Sequence, residues 1–96
     1  MRFIIRATIP VDDGNKMIKD PKFLKTLEDY ISKIKAETSY FFEAEGKRTF
    51  AFIVDIPSTD MIPSIVEPLF QRYNASVRLH PVMLLNDLKK AIKSNK

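Results

Sequence analysis

Thr38-Ser39-Tyr40-Phe41-Phe42-Glu43-Ala44-Glu45-Gly46-Lys47-Arg48-Thr49-Phe50-Ala51-Phe52-Ile53-Val54-Asp55-Ile56 is the stretch that decides the fold. Residues 38 to 44 and 48 to 56 are rich in aromatic and β-branched types, which suit a pleated, half-buried surface. They flank Glu45-Gly46-Lys47 and read as a β-hairpin closed by a short glycine turn. A turn centred on Gly46 pairs Phe42 with Phe50 and Tyr40 with Phe52. These four aromatics and Val54 are therefore expected on one face, the core face. Ser39, Phe41, Glu43, Thr49, Ala51, Ile53 and Asp55 then share the other.

Outward from the hairpin, both flanks repeat one pattern. Before it, residues 2 to 9 alternate Phe3, Ile5, Ala7 and Ile9 with Arg2, Ile4, Arg6 and Thr8, the period of a strand, which Pro10 ends. Val11-Asp12-Asp13-Gly14-Asn15 reads as a turn-rich stretch. Asp20 and Pro21 then supply a cap and a first-turn proline for an amphipathic helix carrying Phe23, Leu24, Leu27, Tyr30, Ile31 and Ile34. After the hairpin, a second helix begins near Asp60 and keeps helical spacing through Pro63 and Pro68, the latter kinking it, until Asn74 stops it. Residues 75 to 83 alternate again, and a last helix starts near Asn86. The order β-α-β-β-α-β plus a terminal helix predicts an α+β, ferredoxin-like sandwich in one domain, residues 1 to 96. Its four-stranded antiparallel sheet has spatial order 4-1-3-2, with both main helices on one face.

Composition narrows the chemistry. A chain of 96 residues with 45% apolar content buries a thin core, so association with another copy would add useful cover. No cysteine and one histidine exclude disulfides, thiolate zinc sites and thiol nucleophiles. The net charge of +4 resides entirely in Lys89, Lys90, Lys93 and Lys96, so the remainder is neutral and lacks the driving force for nucleic acid. Arg48-Thr49-Phe50-Ala51-Phe52 partly matches the strand motif of RNA-recognition domains. In that register, however, Asp55 would be buried and Phe50 and Phe52 exposed, so RNA binding is the last choice. No apolar run approaches the roughly 20 residues that span a membrane, and no export signal is legible, so a cytoplasmic location is expected. Nucleotide and metal-loop patterns are absent, and no cofactor is expected.

The helix-free face is expected to carry Arg2, Ile4, Arg6, Thr8, Arg78, His80 and Val82 beside the hairpin's second set. Such a surface is too apolar for open water and too charged for a dry core, which predicts a homodimer whose sheets meet face to face around a partly polar pocket. Antiparallel pairing places Arg78 beside Arg6, His80 beside Ile4 and Asp55 beside Arg2. Two adjacent arginines call for an anion, or for a carboxylate such as Glu43, between them. The competing structural reading is a set of ion pairs, Arg2 with Asp55 and Arg6 or Arg78 with Glu43. In the ligand reading, Arg6 and Arg78 hold the anion, and His80, with Glu43, moves a proton, since histidine is the residue type suited to a proton shuttle at physiological pH and His80 is the sole histidine.

Met1-Arg2-Phe3, Gly14-Asn15, the Tyr40-Phe41-Phe42 to Gly46-Lys47-Arg48-Thr49 hairpin, Glu67-Pro68-Leu69-Phe70 with Asn74-Ala75, and Pro81-Val82-Met83 with Asp87-Leu88 run nearly the whole chain. Together they resemble an uncharacterised bacterial family of small ferredoxin-like proteins in the dimeric α+β barrel superfamily. That superfamily includes muconolactone-isomerase-like enzymes, cofactor-free monooxygenases and small stress-response proteins. The resemblance implies the fold and the dimer and supplies no catalytic residues. Two functions remain in view: a dimeric binder, or cofactor-free enzyme, for an anionic or enolisable organic molecule, and a non-catalytic interaction or regulatory module.

Overall fold

The computed structural model describes residues 1 to 94, so Lys96 of the expected basic tail lies outside the described residues. Strand β1 (Arg2–Thr8) leads through helices α1 (Val11–Lys19) and α2 (Phe23–Ile34) to the hairpin strands β2 (Thr38–Ala44) and β3 (Lys47–Asp55). One 3-10 turn at Thr59–Met61 opens into α3 (Ile62–Tyr73), followed by β4 (Ser76–Pro81) and α4 (Leu85–Ser94). The sheet is antiparallel with order β2-β3-β1-β4, the expected order read from its other edge.

Helix α1 is a departure, because Asp12, Asp13, Gly14 and Asn15 have turn composition and yet lie in a helix. Two features favour the helix there. The acids occupy the first turn and Lys16 and Lys19 the last, matching the helix dipole at both ends. Gly14 also leaves room for the Arg48 side chain, since a Cβ at Gly14 would sit 2.9 Å from an Arg48 terminal nitrogen. Arg48 crosses that gap to donate a hydrogen bond to the Asn15 side-chain oxygen at 3.0 Å. Asp20 closes α1 and accepts the Lys22 amide at 2.9 Å, ahead of α2. Asn74 ends α3 in the left-handed conformation, as its residue type suggests.

The hairpin register is corrected by one residue. Glu45 and Gly46 both have positive φ, 55° and 76°, giving a two-residue turn whose twist matches that of the strands. Ala44 therefore faces Lys47, Phe42 faces Thr49, Phe41 faces Phe50 and Tyr40 faces Ala51. A one-residue slip exchanges the faces of an entire strand. Phe41 moves to the core side, its ring 5.3 Å from that of Phe50, whereas Tyr40 and Phe42 move to the helix-free side.

Between sheet and helices, Ile5, Ala7, Ile9, Phe50, Phe52 and Val54 pack against Phe23, Leu27, Tyr30, Ile65, Leu69 and Tyr73. Tyr30 donates its hydroxyl to the Ile65 carbonyl at 2.6 Å, tying α2 to α3 through the core. Burial raises the Tyr30 hydroxyl pKa well above its ordinary 10.0, against the opposing pull of Arg72. A folded pKa above the unfolded value means that stability is fully present below pH 10.0 and falls as the unfolded chain alone ionises. The chain is therefore expected to lose stability steeply above that pH. Tyr30→Phe should flatten the decline in an alkaline denaturant series while costing about 1 kcal/mol at neutral pH. An unchanged alkaline slope in this variant would contradict the assignment.

Candidate functional site

The helix-free face takes its chemistry from strand register. Across the sheet, Tyr40, Ala51, Arg6 and Arg78 form one row, Phe42, Thr49, Thr8 and Ser76 the next, and Thr38, Ile53, Ile4 and His80 the row on the other side. The expected juxtapositions of Arg6 with Arg78 and of His80 with Ile4 are both present. Arg6 leans away from β4, its guanidinium carbon 5.6 Å from the centroid of the Phe42 ring, a cation–π contact spanning β3. Beneath that span, Thr49 and Ala51 are only 1% and 3% exposed although no helix covers them.

Arg6 and Arg78 line a cavity of about 230 Å³ with Lys47, Thr8, Ser76 and Glu45. None of its cations forms an ion pair among the described residues. Cations that line one cavity repel one another, and an anion placed between them turns that repulsion into attraction. The Thr8 and Ser76 hydroxyls add donors to the same wall.

Glu43 is not part of this arrangement. The register slip puts it on the helix side, where its carboxylate accepts the Gly46 amide at 2.6 Å and braces the turn. His80 lies on the correct face, one step along β4 beyond Arg78, and does not line the cavity. The expected ion pairs are also redistributed. Arg2 engages Glu37 at 3.0 Å, while Asp55 takes the Met1 ammonium at 2.9 Å, although Arg2 and Asp55 are register partners. Thr8 falls on the expected face, whereas Lys47 and Ser76 are not among the residues the sequence pattern places there. A two-residue turn at Glu45-Gly46 would have placed Lys47 opposite Ala44 on this face, and the Arg6 to Arg78 register carries Thr8 onto Ser76.

No family model matches the chain, and no curated protein matches it. Among solved structures it is similar to a formyltetrahydrofolate deformylase from Pseudomonas putida KT2440, with 9% identity and a TM-score of 0.53. The match covers 85% of this chain and 29% of that one, so the chain spans under a third of the enzyme's length. At that identity the likeness is one of fold: a ferredoxin-like α+β arrangement around an antiparallel sheet. No helix among the described residues is long and apolar enough to cross a membrane.

Proposed function

We propose that the helix-free face binds a small organic anion between Arg6 and Arg78, assisted by Lys47 and the hydroxyls of Thr8 and Ser76, with a second copy of the chain closing the cavity. The observation behind this reading is the convergence of Arg6, Arg78 and Lys47 on one cavity that contains a single carboxylate, Glu45. Around it, Tyr40 and Phe42 leave 56% and 42% of their surface exposed, apolar area that a facing copy would cover. Binding is favoured over catalysis, because Glu43 is on the opposite side of the sheet and cannot share a proton with His80. A ligand long enough to pass Arg78 would reach His80 alone.

Thermal unfolding in a panel of carboxylic and phosphoric acids tests the proposal. A ligand at about a hundredfold excess over its Kd should add roughly 2.7 kcal/mol and raise Tm by about 10 °C or more. Arg78→Ala should remove most of that shift while leaving the unliganded protein folded. Arg6→Ala should do the same, with some loss of stability from the uncovered Phe42. His80→Gln should leave it intact. Stabilisation that survives undiminished in Arg78→Ala, or no response to any acid, rules the reading out. A monomer by solution scattering at micromolar concentration would remove the second copy from it.

A further inference from the structure

On the far side of the sheet, α1, α2 and α3 border a second, open cavity of about 410 Å³ that the proposed anion site does not use. Its inner wall is apolar and aromatic: Met17, Phe23 and Tyr73 are each at least nine-tenths buried, at 6%, 9% and 7% exposure. Its mouth carries opposite charges, Asp13 and Asp20 against Lys16 and Arg72. Among the described residues, none of these four enters an ion pair. Asp13 gives one oxygen to a long contact with the Asn74 amide, 3.4 Å, and Asp20 gives one to the Lys22 amide. Each keeps a second oxygen for another donor.

The Tyr73 hydroxyl provides an independent pointer. It is fully buried and makes no hydrogen bond of ordinary length among the described residues; its near polar neighbour is the Arg72 guanidinium, and a buried donor so poorly met is costly. Burial raises its pKa, with Arg72 opposing, so it remains a protonated donor at neutral pH.

We infer that this interhelical cavity is a binding site for a small zwitterion with an apolar body, of the α-amino acid class. Tyr73 and Arg72 would take the carboxylate, Asp13 and Asp20 the ammonium, and Met17 and Phe23 the side chain. Balanced but unpaired charges at the mouth favour a ligand that bears both signs, because an anion or a cation alone would leave one pair of like charges facing it.

Two-dimensional amide NMR of the intact chain, titrated with L-phenylalanine and L-leucine to about 10 mM, tests this. Saturable shifts at Met17, Phe23 and Thr26, the last an α2 residue that also lines the cavity, are expected with at least one of them. Neither phenethylamine nor 3-phenylpropionate, each lacking one charge, should reproduce them. Tyr73→Phe keeps the ring contacts with Phe23 and Phe50 and should fold normally, yet weaken binding roughly five- to tenfold. No saturable shift, equal binding by either singly charged analogue, undiminished binding in Tyr73→Phe, or shifts confined to Thr8, Ser76 and Arg78 would each overturn the inference. The last result alone would leave the anion site standing.

Discussion

Phe52→Ala is expected to remove most of the chain's stability at room temperature. Phe52 is fully buried at the centre of β3, with ring centroids 5.5 Å from Tyr30, 6.1 Å from Phe50 and 6.4 Å from Phe41. Deleting a buried phenyl ring removes its transfer energy and leaves a cavity, together costing about 3 to 5 kcal/mol. Domains of this size commonly have only about 5 to 15 kcal/mol in total, and a thin core lies toward the lower end. Its β1 partner is Ile5, also fully buried, so no flexible neighbour borders the hole on that side. Urea unfolding followed by circular dichroism checks the result. A midpoint close to that of the parent chain would mean that this ring is not central to the core.

The second large effect separates two adjacent residues. Leu69 is fully buried on α3, whereas Phe70, the larger side chain, is 41% exposed. Leu69→Ala should cost about 2 to 5 kcal/mol, and Phe70→Ala about 1 kcal/mol or less, despite deleting more carbon. Pro68 sharpens the comparison. It lies inside the helix and removes one backbone hydrogen bond there, so packing of Leu69 has to hold a turn that the ladder supports poorly. Equal costs for the two variants would show that α3 is rotated about its axis relative to the arrangement described above. The same urea series measures both.

Much of this architecture was legible because it depends on period and punctuation. Alternation in residues 2 to 9, the proline after it, the left-handed Asn74 and the glycine turn fix element type and order without reference to distant contacts. The Arg6 to Arg78 juxtaposition follows from that order alone. Harder to read was the count of residues in the turn. Centring it on Gly46 rather than on the bond between Glu45 and Gly46 shifts every β2 side chain by one position, and that error moved Glu43 onto the wrong face. Helix α1 was obscured for another reason. Asp, Gly and Asn favour turns locally, but the dipole match and the crossing of Arg48 over Gly14 are tertiary gains that outweigh propensity. The interhelical cavity had no sequence signal at all, since it depends on where three helix axes come to rest.

Helix α4 is ten residues long and buries none of them, leaving Leu85, Leu88 and Ile92 more than two-fifths exposed along one stripe. In water, a solitary helix shorter than about 12 residues barely outcompetes its own unravelled form. Order in this arm is consequently expected to depend on cover for that stripe, with its amides exchanging readily with solvent while the stripe is bare. The amides of β1, a strand paired on both sides, are expected to exchange far more slowly.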